Sequence, residues 1–284
     1  MRHRHLLLAI GSLATILAGG ELFARYELGL GSPPLSVADP DIEYMFAPDQ
    51  DVMRFGNRQV FNAYGMRSDD YDPESDVRKT IVLGDSVLNG GSLTDQAELA
   101  TVIASDADHV FGNVSAGSWG PANMTAWFDR YGPLGADTAI VVLSSHDLND
   151  LPTFAALDPD THPTRRPASA LIEGIQRYLP RYLPSFATPR KRTSDAASGS
   201  DVPGGREAVE TLFDTLGRAG LKVCLIQHLT RTEIETGVDP KHDIIGQIAD
   251  DYDIPRVAFA QALRPVIARG ENPFRDDIHI NAIG

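Results

Sequence analysis

A serine follows directly on a short apolar run in the first third of the chain. Residues 80–83 are apolar or β-branched and are followed by Gly84, Asp85 and Ser86. If the run is a strand of a parallel sheet, Ser86 lies at the carboxyl end of that strand, where open α/β sheets build their sites. A serine hydroxyl there could act as a nucleophile once a base activates it. Because Gly, Asp and Ser are also ordinary turn residues, the motif alone leaves a structural turn equally open.

A carboxylate and an imidazole stand three residues apart near the end of the chain, at Asp276 and His279. With this spacing the carboxylate can fix the tautomer of the imidazole while the ring accepts a serine proton. Such a pair alone is more often part of a surface loop. Together with the earlier turn, it gives a candidate catalytic set in which Ser86 is the nucleophile, His279 the base and Asp276 the residue that orients the base.

The elements that must position these residues follow an alternating pattern from residue 79 onward. Short apolar runs predict strands at 79–84, 111–115, 138–144, 221–227 and 255–259. Longer amphipathic patterns predict helices at 95–107, 121–132, 204–219, 242–252 and 260–269. Such alternation is typical of a parallel sheet covered by helices on both faces. We therefore predict a three-layer α/β/α, flavodoxin-like fold with a mainly parallel five-stranded sheet.

The amino terminus predicts a membrane helix. Arg2 and Arg4 precede the uncharged residues 6–18, and basic residues before an apolar stretch are typical of an export signal. We expect residues 1–28 to form a retained signal anchor rather than a cleaved signal. Since basic residues stay on the cytoplasmic side, the rest of the chain is expected outside that membrane.

The remainder of the chain divides into a leader and a main domain. Residues 29–78 combine Gly and Pro with short aromatic runs, and predict a linker and a short β leader. Residues 79–284 are predicted to form the catalytic domain. Residues 151–203 interrupt its rhythm as an insertion, with a helix predicted near 168–179 and a polar second half.

Composition excludes several classes of partner. The formal net charge is −14, so the chain lacks the basic field that nucleic acid requires.

The single cysteine, Cys224, lies in an apolar run and predicts a buried thiol, and one cysteine forms no disulfide within the chain. Five further histidines fall in unrelated segments, so we predict no metal site and no cofactor. They are His3, His5, His109, His162 and His242.

The Gly-Asp-Ser turn at Ser86 and the motif between Asp276 and His279 together resemble the first and last sequence blocks of the SGNH (GDSL-like) hydrolase family. The resemblance covers residues 79–284. It implies a serine esterase whose oxyanion hole is formed by backbone amides. In that family a glycine after the second strand supplies one of them, and Gly117 matches it, beside the amide of Ser86.

The third block of the family, Gly-x-Asn-Asp, is matched imperfectly within residues 141–150. His146 stands where the family has its oxyanion asparagine. A histidine donates only from its protonated ring nitrogen, whereas an asparagine amide always presents a donor. We expect His146 to complete the oxyanion hole, with Asn149 as the alternative. An impaired site that was retained for binding is the remaining interpretation.

The leader resembles that of membrane-anchored SGNH proteins of bacterial envelopes, most clearly in residues 59–68. The resemblance implies a single span in the bacterial inner membrane, a periplasmic domain, and acylated carbohydrate as substrate. Asn62 and Arg67 in this leader are candidate substrate contacts, as are His228 and Arg231 after the fourth predicted strand. For Asn62 and Arg67, the open alternative is a hairpin that only covers a sheet edge. For His228 and Arg231, it is a solvated loop.

The sequence thus predicts a serine-dependent ester hydrolase that removes O-acyl (acetyl) groups from cell-envelope or extracellular carbohydrate. An O-acyltransferase would use the same residues, and a non-catalytic carbohydrate-binding protein of exopolysaccharide assembly could share the fold. A lipase acting on membrane lipid is a further alternative. It is less favoured because residues 151–203 show no long apolar lid pattern.

Overall fold

The computed structural model describes residues 2–69, 71–179, 203–237 and 239–284. It begins with helix α1 (Arg2–Tyr26) and two antiparallel hairpins. The hairpins consist of strands β1 (Ser36–Asp39), β2 (Glu43–Phe46), β3 (Gln50–Arg54) and β4 (Asn57–Phe61). Phe55 and Gly56, which join β3 to β4, have φ angles of 51° and 80°, and positive φ at both positions matches the twist of paired strands. The predicted N-terminal helix and short β leader are confirmed.

Helix α1 is long and apolar enough to cross a membrane. Within His3–Tyr26, the most apolar stretch of 18 residues has a mean hydropathy of 1.9 and is 0% buried against the rest of the chain. Length and composition suit a membrane anchor, and they suit a signal sequence equally well.

The main sheet has five strands, and all of them are parallel. They are β5 (Arg78–Gly84), β6 (His109–Ser115), β7 (Thr138–Leu143), β8 (Lys222–Gln227) and β9 (Arg256–Ala258), in the spatial order β6-β5-β7-β8-β9. The predicted α/β fold with a parallel five-stranded sheet is confirmed. After β5 the chain forms β6 on one side of it and then β7 on its other side, so the direction in which strands are added reverses at β5. The carboxyl end of β5 is therefore the topological switch point where such sheets bind ligands.

Eight further helices follow α1 in the part of the chain that the structure describes. They are α2 (Ser86–Asn89), α3 (Ala100–Ala104), α4 (Pro121–Tyr131), α5 (Ala170–Glu173), α6 (Pro203–Arg218), α7 (Arg231–Thr236), α8 (Pro240–Asp251) and α9 (Ala260–Ala268). Helices α4, α6 and α8 pack side by side. Their apolar faces form one core with the sheet, in which Trp127, Phe213 and Ile245 contact the same cluster as Leu83 and Val141. Burial of these side chains stabilises β5, the strand that leads into the turn before Ser86.

Two predicted helices are different in the structure. Residues 95–107 do not form one helix, because Leu99 has an extended backbone with ψ 135° and separates a 3-10 turn from α3. Asp95 caps that turn by accepting from the amide of Ala97, and the break lets Leu99 bury its side chain. The helix predicted near 168–179 is α5 followed by a π turn, Gly174–Tyr178. Residues 180–202 of the predicted insertion lie outside the described residues.

A buried ion pair joins the leader to α5. Nη2 of Arg54 lies 2.6 Å from Oε1 of Glu173, and the two side chains are 1% and 4% exposed. Arg54 also donates to the hydroxyl of Tyr178, at 2.7 Å. Removing one partner of such a pair leaves a buried charge without compensation.

We therefore predict that Glu173→Gln lowers the free energy of unfolding by about 3 kcal/mol. The matched control is Asp214→Asn in the exposed pair Arg218–Asp214, whose side chains are 70% and 49% exposed; it should cost about 0.5 kcal/mol or less. Chemical denaturation of the full chain measures both. Equal losses in the two variants would contradict the structural role of the buried pair.

Candidate active site

The turn after β5 places Ser86 at the start of a short helix. Asp85 is the N-cap of α2, and its Oδ1 accepts from the amide of Val87 at 2.8 Å. The strand comes so close to this helix that a Cβ added to Gly84 would lie 2.9 Å from the Cβ of Leu88. A side chain at position 84 would therefore push α2, and Ser86 with it, away from the strand end.

Three side chains form a continuous hydrogen-bonded chain at this edge of the sheet. Oγ of Ser86 lies 2.9 Å from Nε2 of His279. Nδ1 of the same ring lies 2.8 Å from Oδ2 of Asp276 and 3.0 Å from Oδ1. This geometry leaves Nε2 to accept the serine proton when Nδ1 carries the hydrogen, which the carboxylate favours. The structure thus brings together the three residues that the sequence singled out.

Asp276 also fixes the backbone of the loop in which it lies. Oδ1 of Asp276 accepts from the amides of Ile278 at 3.0 Å and His279 at 2.7 Å. Burial alone would raise the pKa of Asp276, but the hydrogen bonds from the amide and the ring of His279 outweigh it and lower the pKa. The group is therefore ionised at neutral pH and can stabilise an imidazolium.

Gly117 lies in the wall of the cleft that contains Ser86 and His279. A Cβ added to it would meet no atom within 4 Å, so the backbone at this position faces open space that a substrate could occupy. His146 is exposed, on the 3-10 turn Ser145–Leu148 that follows β7. Among the described residues, the wall of this cleft includes neither His146 nor Asn149, and Asn149 lines a second, smaller cavity instead.

Two of the four candidate substrate contacts, Arg67 and Asn62, make hydrogen bonds to backbone groups of turns. Arg67 is 0% exposed, and its guanidinium donates to the carbonyls of Asn89, of Gly91 at 2.8 Å and of Thr94 at 2.6 Å. It therefore holds the loop after α2 and presents no donor to the cleft. Asn62 accepts through Oδ1 from two amides of its own turn.

His228 and Arg231 hold the loop that carries the catalytic pair. His228 is 1% exposed and donates from Nε2 to the carbonyl of Ile278 at 2.8 Å. Burial lowers the pKa of His228, which keeps the ring neutral. Arg231 donates to Oδ1 of Asn272 at 3.0 Å and lies over the ring of Phe274. In the structure His228 and Arg231 contact the loop of Asp276, and their role as substrate contacts stays a prediction.

Two residues of the cleft were not predicted from the sequence. Arg275 lines the cleft and donates to the carbonyl of Gly90 at 3.3 Å, which joins the loop of Asp276 to the loop after α2. Asn89 also lines the cleft, and its amide donates to the carbonyl of Ser115 at 3.2 Å. The signal available was their proximity to Asp276 and Ser86 in the sequence, but their partners come from distant segments.

The described residues contain no group of three or more His, Cys, Asp or Glu side chains that could hold a metal ion. Three carboxyl groups instead lie close behind the nucleophile. Burial raises the pKa of Asp85 and of Asp147. Burial also raises the pKa of Asp150 to about 6, and the charge of Asp85 adds to that shift. Each of these groups therefore favours its protonated form more than an exposed carboxyl does.

No protein-family model and no protein of curated function matches the sequence. Among solved structures, the chain is similar to AlinE4, an SGNH-hydrolase family esterase, with 17% identity and a TM-score of 0.44 over 74% of this chain and 89% of that chain. It is also similar to a GDSL-like lipase from Bacteroides thetaiotaomicron, with 11% identity and a TM-score of 0.41 over 72% and 81% of the two chains. A third is the acetyl xylan esterase AlAXEase, with 13% identity and a TM-score of 0.42 over 72% and 93%. The first two bear the name of the family that the sequence motifs resemble, and at these identities the likeness carries no information on substrate.

The raised pKa of Asp150 predicts a pH-dependent cost in stability. Because the folded protein holds this proton up to about pH 6 and an unfolded chain loses it near pH 4, the free energy of unfolding falls as pH rises through that window. Asp150→Asn should therefore raise the free energy of unfolding by about 1–2 kcal/mol at pH 7.5 and leave it nearly unchanged at pH 4.

Chemical denaturation at the two pH values measures this difference. Asp129→Asn, at an exposed position of α4, is the control and should change stability by less than about 0.5 kcal/mol at either pH. An Asp150→Asn variant no more stable than wild type at pH 7.5 would show that the carboxyl is better solvated than its position in the fold implies.

Proposed function

We propose that the protein is a serine-dependent ester hydrolase of the SGNH type. The observation that carries this proposal is the hydrogen-bonded chain from Ser86 through His279 to Asp276. Oγ of Ser86 forms a bond to the acyl carbon while its proton passes to Nε2 of His279. The ring then protonates the alcohol oxygen as its bond to the acyl carbon breaks. Water then bonds to the acyl carbon as it gives a proton to Nε2 of His279, and the ring returns that proton to Oγ of Ser86 as the bond between Oγ and the acyl carbon breaks and the acid leaves.

The proposed oxyanion donors are the backbone amides of Ser86 and Gly117. Both residues line one cleft, and amides fixed by the backbone need no reorganisation when the negative charge develops. A side-chain donor from His146 stays a prediction, since this residue is exposed on the adjoining turn.

The proposed substrates are O-acyl groups on cell-envelope or extracellular carbohydrate, and acetyl is the acyl group expected from the sequence. The motif of the leader supports the carbohydrate part of this proposal. The proposed location is the outer face of the bacterial inner membrane, with α1 as the anchor and the domain in the periplasm. Arg2 and Arg4 before the apolar residues of α1 support that orientation.

The geometry favours catalysis over a binding role alone. A protein that used the fold only to bind carbohydrate would have no need of a base aligned on Ser86. Here the base is oriented through both oxygens of Asp276, and its loop is held by His228. An acyltransferase would replace water by a sugar hydroxyl in the last step and would use the same three residues.

We predict that the full chain in detergent releases p-nitrophenol from its acetyl ester, and that Ser86→Ala and His279→Ala each abolish most of this turnover. Asp276→Asn should lower kcat by about 10³–10⁴-fold, because the ring loses the partner that fixes its tautomer. Steady-state kinetics measures all three variants.

The matched control is Asp277→Asn. Its carboxylate is adjacent in sequence but accepts from the amide and hydroxyl of Thr232, at 3.1 and 2.7 Å, and makes no contact with the ring. It should retain most of the wild-type rate. A Ser86→Ala variant as active as wild type would overturn the proposed function.

A further inference from the structure

The last turns of α1 are fixed to the catalytic domain by a specific polar contact. The carboxylate of Glu21 accepts from Oγ of Ser169 at 2.7 Å and from the amides of Ala170 at 3.0 Å and Leu171 at 2.9 Å. Arg25, one turn further along α1, donates to the same carboxylate at 2.7 Å. These bonds satisfy the free amides at the start of α5. Helix α1 is thereby joined to α5 as part of one structure.

The turn that leaves α1 is equally constrained. The amide of Leu30 donates back to the carbonyl of Ala24 at 2.9 Å. Gly29 has a φ of 66°, and a Cβ there would lie 2.1 Å from the carbonyl oxygen of Met53. The amide of Gly31 donates to Glu173, the buried partner of the leader, at 2.5 Å. A helix that served only as a removable signal would not require such close packing at its end.

The cleft that contains the catalytic residues extends to this junction. It has a volume of about 1090 Å³, and Ser86 and His279 lie in its wall. Another part of the same wall is apolar and is formed by α1, α5 and the π turn that follows α5. The apolar lining there includes Gly20, Phe23, Ala24, Leu171, Ile175 and Tyr178. An acetyl group is far smaller than this space, whereas a long acyl chain would fill an apolar groove.

The length of α1 places the groove at the membrane surface. Between Arg4 and Glu21, His5 is the only residue whose side chain can carry a charge. Residues 6–20 are therefore uncharged, and as a helix they span about 22 Å. This is shorter than a hydrocarbon layer of about 30 Å, so the domain must lie close against the membrane. Phe23 and Ile175, which are 58% and 50% exposed, would then lie in the interfacial layer at the groove.

We propose that the final turns of α1 form one wall of the substrate site, and that the site takes long-chain acyl esters which enter from the outer leaflet of the membrane. This inference rests on the proposed function and replaces acetyl, the acyl group expected from the sequence, by a long chain. The acyl chain lies along the apolar wall that α1 and α5 form together, with its ester carbonyl at Ser86. The enzyme therefore needs no separate lid, since its own membrane helix covers the chain.

Two adjacent glycines of α1 provide a matched pair for the test. Gly20 lines the cleft, and a Cβ there would meet only Leu171, at 3.5 Å, so a leucine side chain would occupy the groove. Gly19 meets no atom within 4 Å of an added Cβ and is exposed. Leucine favours helix more than glycine does, so neither change weakens α1.

The experiment compares p-nitrophenyl acetate and palmitate as substrates of the full chain in detergent. Wild type should prefer palmitate in kcat/KM. Gly20→Leu should lower kcat/KM for palmitate by about tenfold or more, because small changes of volume in an apolar site discriminate by about that factor. The loss should be specific to the long chain, so that the ratio of kcat/KM for palmitate to kcat/KM for acetate falls, and Gly19→Leu should match wild type on both esters. Loss of acetate turnover in Gly20→Leu would mean that the variant damaged the fold, and Phe23→Ala then serves as the second groove variant.

A second measurement does not depend on turnover. In Ser86→Ala protein, a C16 alkyl probe with a terminal diazirine should, on irradiation, label residues of α1 or α5 that line the groove, and excess unlabelled palmitate ester but not acetate ester should compete. Two outcomes overturn the inference and leave the proposed function standing. One is turnover of acetate with no turnover of palmitate, and the other is labelling that palmitate ester does not displace. Competed labelling without turnover of any ester supports the groove as a binding site for a long acyl chain and overturns the proposed function.

Discussion

The hydrogen bond between Ser86 and His279 joins residues that are 193 positions apart, and the fold must hold both ends to within a fraction of an ångström. One end is fixed by β5, the strand at which the sheet order reverses, with Ile81 and Leu83 fully buried in the core. The other end depends on a loop near the carboxyl terminus that has no strand of its own in the main sheet. The stability of that loop therefore limits how well the nucleophile and its base stay aligned.

Side chains from three segments of the chain hold this loop and the loop after α2 in place. His228 and Arg231, after β8, hold the loop of Asp276 through hydrogen bonds to its backbone and side chains. Arg67, from the leader, holds the loop after α2 through backbone carbonyls, and Arg275 joins the two loops. Each of these groups is cationic or a neutral donor, and each binds carbonyl oxygens. The site is thus positioned by the buried donors of Arg67 and His228 and the half-buried donors of Arg231 and Arg275, whose loss would leave carbonyl groups without a partner.

The sequence predicted the five strands, the parallel sheet and the three residues of the hydrogen-bonded chain because these depend on local signals. Apolar runs identify buried strands, and the carboxyl ends of neighbouring parallel strands share one edge. It did not predict the break at Leu99, where burial of one side chain overrides a helical pattern. Nor did it predict that Arg67 and His228 face the backbone, because their partners lie 22 and 50 positions away. The contact of Glu21 with α5 spans about 150 positions and has no local signature.

The most direct test of this account is the reaction of the full chain with a fluorophosphonate, which bonds to an activated serine oxygen and releases fluoride. The account predicts a single adduct on Ser86 by mass spectrometry, no adduct at that position in Ser86→Ala, and labelling slowed by about a hundredfold or more in His279→Ala. Labelling on another serine, or labelling of Ser86 at an unchanged rate without His279, would contradict the claim that this hydrogen-bonded chain activates the serine.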